Sequence, residues 1–121
     1  MRTVLAAASL ALAASAPVMA QEQYQLRTAA DLARICSTPA SADDYVVGIS
    51  FCHGVLSGAY NYFLAATPVE QRFVCLPSDK VTRIQIANGF VSWLQARPQY
   101  QKDGAIDALF RYAAETYPCK R

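Results

Sequence analysis

Four cysteines, Cys36, Cys52, Cys75 and Cys119, constrain what this chain of 121 residues can fold into more than any other feature. The stretch ahead of them decides their redox state. Residues 1–20 read as a secretory signal peptide: Arg2 supplies the positive charge, an Ala/Leu-rich run follows, and Val18-Met19-Ala20 fits the small-x-small cleavage rule. Gln21 is then the expected mature N-terminus. Export brings the chain into an oxidising compartment, where the four cysteines pair. Paired cysteines leave the list of nucleophiles and metal ligands.

Removing twenty residues from 121 leaves 101, the length of a single domain spanning 21–121. Such a domain buries roughly 60–70% of the surface its unfolded chain exposes, enough for one modest core. Without Arg2 there are ten Lys/Arg and nine Asp/Glu, a net charge of +1. No basic patch is dense enough for nucleic acid. No second apolar stretch reaches the roughly 18–20 residues needed to span a bilayer, and no cysteine sits at the cleavage point to carry a lipid. The expected mature protein is soluble, with no membrane association after cleavage.

Periodicity predicts an all-α fold, a small four-helix bundle stapled by two disulfides. The first helix covers about 29–36, with Thr28 and Asp31 forming a capping box. Pro39 follows it. The second runs from about 42 to 65 behind Ser41, with Tyr45, Ile49, Cys52, Leu56, Ala59 and Phe63 as its buried stripe. The third begins after Pro77 with Ser78 as cap and runs to about Arg97, its apolar face Ile84, Ala87, Val91 and Leu94 with Phe90 beside them. The fourth covers about 104–117 with Asp103 as cap and Ile106, Leu109, Phe110, Ala113 and Tyr117 inward. Short connections make neighbours antiparallel. If the last two helices form a hairpin, Cys75 and Cys119 meet at its outer end. Cys36 and Cys52 then tie the first helix to the second. Three connectivities exist and sequence does not choose among them, but this pair is favoured.

The search for chemistry returns little. His53, the single histidine, adjoins Cys52, yet neighbours at i and i+1 on a helix do not face each other, so no dyad forms. The cysteines are 16, 23 and 44 residues apart with no C-x-x-C, a poor metal set. Gly54-Val55-Leu56-Ser57-Gly58 misses the nucleophile elbow by one position. Asp43 and Asp44 read as a helix start. No catalytic, cofactor or metal site is expected. Gly48, Gly54 and Gly58 do need a reason, since each costs about 0.5–1 kcal/mol relative to Ala inside a helix. Gly54 and Gly58 share one face, and close crossing by another helix is favoured over a face where a partner docks.

Taken in order, these residues form a pattern. A cysteine closes the first helix. FCHGVLSGAY (51–60) carries Cys52, Gly54 and Gly58, and FVCLP (73–77) carries Cys75 and Pro77. A helix then ends at Arg97-Pro98, and the last ends at Tyr117-Pro118-Cys119. The chain resembles the Rap/Tai family of type VI secretion immunity proteins over about 30–119. The resemblance implies a disulfide-bonded helical protein of the periplasm that is not an enzyme. It implies binding to a peptidoglycan amidase effector, often by a homodimer, with a protruding segment occluding the enzyme's cleft. In one branch that segment joins the last two long helices. Here it is Arg97 to Asp103, in which Arg97, Gln99, Tyr100, Gln101, Lys102 and Asp103 are the expected partner-binding residues.

An alternative is a periplasmic acid-stress chaperone of the HdeA type, which is also small, exported, helical and disulfide-bonded. This chain has more cysteines than that type and only nine carboxylates to act as a pH trigger.

Overall fold

The computed structural model describes residues 23–77 and 79–120. The expected signal peptide over 1–20, the expected cleavage before Gln21 and the expected Ser78 cap lie outside the described residues. Four α-helices lie wholly among the described residues, in order α1 (Ala29–Cys36), α2 (Tyr45–Ala66), α3 (Arg83–Gln95) and α4 (Ala105–Thr116). Short 3-10 turns stand at Val69–Gln71 and Pro98–Tyr100. No strand occurs among the described residues, only isolated bridges joining Thr28 to Gly104 and Val74 to Pro118.

α1 starts where the sequence places it. The Asp31 N–H donates to Thr28 Oγ1 (3.2 Å) and the Thr28 N–H to Asp31 Oδ2 (2.9 Å), satisfying donors that a helix start leaves free. The Thr28 N–H first, and the Arg27 N–H that also donates to Asp31 Oδ2, hold the Asp31 carboxyl below its ordinary range. Two further N–H groups of α1 donate to the chain before α4: Ala29 to the Asp103 carbonyl (2.8 Å) and Ala30 to that of Gln101 (3.1 Å). So short a helix is marginal alone in water. Here it is held at its start by these bonds and at its end by a disulfide.

The other three starts differ from expectation. α2 begins at Tyr45, three residues later than predicted, because 39–45 is spent in turns closed by Ala42 N–H to Pro39 O and Tyr45 N–H to Ala42 O (both 3.0 Å). Ser41 is therefore not its cap. Asp44 holds that position without a side-chain cap, since its carboxylate accepts from Gln23 Nε2 and Tyr24 Oη instead. That bond raises the Tyr24 pKa. α3 is capped by Thr82, in a reciprocal box with Gln85. α4 is capped by Gly104; the Asp103 carbonyl serves α1.

The bundle encloses Leu32 and Ile35 of α1, Cys52 and Leu56 of α2, Phe90 and Leu94 of α3 and Ala108 and Leu109 of α4. Ala87, Phe90 and Leu94 of α3 and Leu109 and Ala113 of α4 are buried as predicted, but the rest of each face differs. Phe90 and Trp93 point in while Ile84 is exposed; Ala105, Ala108 and Tyr112 point in while Ile106 is exposed and Phe110 half-buried. The close approaches fall at Gly48, where a Cβ would collide with Thr38, and at Gly89, where it would collide with the Tyr112 ring and hydroxyl. Burial pushes the Tyr112 hydroxyl far above the ordinary phenol range. The disulfides are Cys36–Cys52 (Cα–Cα 5.1 Å) and Cys75–Cys119 (4.8 Å). Among the described residues, no helix is long and apolar enough to cross a membrane.

Candidate protein-docking surface

α2 contains no Asp, Glu, Lys or Arg over its 22 residues, YVVGISFCHGVLSGAYNYFLAA. Apolar residues therefore occur all round it. A helix of that kind is normally enclosed on every side. This one is not: among its residues only Gly48, Cys52, Leu56 and Phe63 are buried.

Gly54 and Gly58 lie on the open side. A Cβ built on either would meet nothing within 4 Å, so the close helix crossing expected at these glycines is absent. They instead form the floor of an apolar groove of about 620 Å³ between the second half of α2 and the first half of α4. Val55, Ala59, Phe63 and Phe110 line it, with Tyr62, Phe73 and Ile106 at its edges. Those three are 76%, 47% and 41% exposed.

The segment after α2 is what brings Phe73 there. Arg72 donates from Nη2 to the Leu64 carbonyl (2.8 Å) and from Nε to that of Thr67 (3.1 Å). It thereby satisfies carbonyls left free at the end of α2, where a cation also suits the helix dipole. Beyond it, Val74 bridges Pro118, the Cys75 N–H donates to the Tyr117 carbonyl (2.9 Å), and the disulfide locks Cys75 to Cys119. Phe73 is left packed against Phe63 (ring centroids 5.0 Å) and Phe110 (6.2 Å).

The Arg97–Asp103 segment is knitted into the fold. Tyr100 lies flat against Trp93 (5.4 Å, interplanar angle 3°), and the Arg111 guanidinium stands over the Tyr100 ring at 4.8 Å. Arg97 stands over Trp93 at 5.0 Å and pairs with Glu115 at 3.2 Å. Gln101 and Asp103 spend their carbonyls on α1. Gln99, Gln101 and Lys102 remain exposed. Arg111 connects this segment to the groove, since it also pairs with Asp107 at the groove's rim (3.5 Å). A polar rim and an apolar centre thus run together along one side of α4, the usual anatomy of a protein interface.

Of the groove residues, Tyr62 is a tyrosine near a helix end, a type enriched at interfaces; Ile106 was expected to face inward and does not, and Phe73 was not singled out by the sequence. The available signal was the absence of charge throughout 45–66. Other candidates have structural roles: Cys52 is disulfide-bonded, and Asp44 holds Tyr24. His53 leaves Nε2 buried without a partner. Among the described residues no three His, Cys, Asp or Glu side chains cluster to hold a metal.

The family model for Rap1a immunity proteins matches residues 28–119, from the α1 cap to the last cysteine. No curated protein and no solved structure matches the chain.

Proposed function

Because the chain belongs to the Rap1a immunity proteins, we propose that it works in the periplasm and neutralises a peptidoglycan amidase delivered by type VI secretion. It does so by covering the enzyme's active-site cleft, and it catalyses no reaction of its own. The observation that carries this reading is the uncharged α2 face over Gly54 and Gly58, bordered by exposed Tyr62, Phe73 and Ile106. Aromatic side chains around a close-approach floor are what interface hot spots are made of. Without Cβ atoms at Gly54 and Gly58, a partner's backbone can come nearer to α2 than any other residue would allow. The exposed side chains of Gln99, Gln101 and Lys102 supply the polar edge.

The test is capture on the tagged mature protein, without reductant, from a periplasmic extract of cells receiving effectors, followed by assay of wall hydrolysis. A captured amidase that loses its activity at a stoichiometric amount of this protein supports the proposal. An amidase that binds and keeps hydrolysing, or extracts in which every amidase stays unbound, contradicts it.

A further inference from the structure

A second cavity, of about 370 Å³, opens on a different face of α2 and shares only Phe110 with the groove. It falls in the range of sites that hold small ligands, roughly 300–1,000 Å³. Its floor is hydrocarbon: Leu56, Val74, Leu109 and Ala113 are all at least nine-tenths buried. The Tyr60 hydroxyl accepts the Leu76 N–H (3.3 Å) and keeps its own O–H as a donor. The other polar side chains of the lining are Ser57, Asn61 and Arg83.

Arg83 is the one charged residue in this lining. It makes no ion pair among the described residues; its Nη1 stands 3.5 Å from Ser57 Oγ, the limit of a hydrogen bond. It is also the first residue of α3, in a first turn without any acidic side chain. The positive end of a helix dipole disfavours a cation there. Helix stability therefore does not explain Arg83, whereas a cation beside a hydroxyl and an amide matches the recognition of an anion.

We propose that this cavity binds a small anionic amphiphile of the medium-chain fatty-acid class, its hydrocarbon among Leu56, Val74, Leu109 and Ala113 and its carboxylate at Arg83, Ser57 and Asn61. Val74 and Leu76, on either side of Cys75, form one wall, so the 75–119 disulfide holds the cavity's shape. The site shares Phe110 with the groove, and its ligand is taken up as a free monomer.

Calorimetric titration of the oxidised mature protein with dodecanoate, below its micelle concentration, tests this. One saturable site for dodecanoate, with weaker binding of dodecanol and dodecyltrimethylammonium, is the expected result. Arg83→Gln should weaken dodecanoate by about fivefold, the most that an exposed pair supplies, and leave dodecanol unchanged. Ala113→Leu, which fills the floor, should abolish binding of both; if it loses helical circular dichroism, Ser57→Leu at the half-buried rim serves instead. Absence of a saturable site, equal binding of the cationic amphiphile, or binding that survives a folded cavity-filling variant would overturn the proposal. So would co-sedimentation with phosphatidylglycerol vesicles by a protein that takes up no dodecanoate.

Discussion

Cys36–Cys52 joins two helices deep in the bundle, its cysteines in one buried cluster with Leu32, Ile35, Phe90 and Leu94 and only 4% and 0% exposed. Cys75–Cys119 joins two non-helical segments at the surface, over a smaller cluster of Phe63, Val74 and Ala113. The first closes the end where the core is complete and the second braces the end where it is left open. Both the groove and the cavity lie at the braced end. An interface needs apolar side chains that the fold itself does not cover, and a local core of three buried residues cannot hold them in place unaided. The crosslink substitutes for packing there, whereas at the first end it adds to packing.

The sharpest way to break that comparison is to remove each bridge in turn. Loop entropy alone ranks the 44-residue separation above the 16-residue one, roughly 4 against 3 kcal/mol. Burial reverses the order. Cys36→Ser with Cys52→Ser leaves hydroxyls in apolar surroundings, adding about 2 kcal/mol or more for a total near 5 kcal/mol. Cys75→Ser with Cys119→Ser should cost about 4 kcal/mol and open the Phe73 end first. Urea denaturation of both double variants gives the ranking; the surface pair costing more would remove the distinction drawn here.

The glycines sharpen the same contrast at smaller scale. Gly89→Ala drives a methyl into Tyr112 and should destabilise by about 2 kcal/mol. Tyr62→Ala should leave stability unchanged but cost about 2 kcal/mol of effector binding, roughly thirtyfold in Kd, as measured by calorimetry with the captured amidase. Gly54→Ala and Gly58→Ala, whose new methyls meet nothing, should each stabilise the isolated protein by about 0.5–1 kcal/mol while weakening the effector complex. Thermal unfolding followed by binding separates the two effects. A destabilised Gly58→Ala would restore a packing role for that glycine.

The smallest expected effect is a pH effect at the closed end. The Asp31 pKa is lowered, chiefly by the Thr28 N–H. Its contribution is therefore present above the unfolded value of about 3.9 and lost as pH falls through the lower folded value. Asp31→Asn should be less stable than the natural chain at neutral pH and equal to it in strong acid, as read by urea midpoints.

The parts of the fold governed by local chemistry were legible in the sequence. Thr28-x-x-Asp31 marked the start of α1 because a capping box is a contact three residues long, and the prolines and charges bounded the other helices to within a few residues. The favoured disulfide pairing followed from the antiparallel order of neighbouring helices. Which face turns inward was less legible. Ile84 and Ile106 are stronger hydrophobes than Ala105 or Ala108, yet the alanines are buried, because helices that approach closely admit only small side chains at the crossing. The same reasoning misplaced Gly54 and Gly58. A glycine's cost in a helix shows that something comes close, but whether it is the chain's own helix or another molecule depends on tertiary structure. The Arg97–Asp103 segment was located correctly between α3 and α4, but not the Trp93–Tyr100–Arg111 stack that holds it down, whose members come together only in three dimensions.

Hydrogen–deuterium exchange on the protein with and without its captured amidase tests the central claim most directly, since it reads the footprint residue by residue. The account predicts new protection across 54–66 of α2, 72–74 and 106–111 of α4, extending to 99–102 at the edge. Protection confined to the exposed sides of α1 and α3, with 54–66 unchanged, would contradict it and move the docking surface to the other side of the bundle.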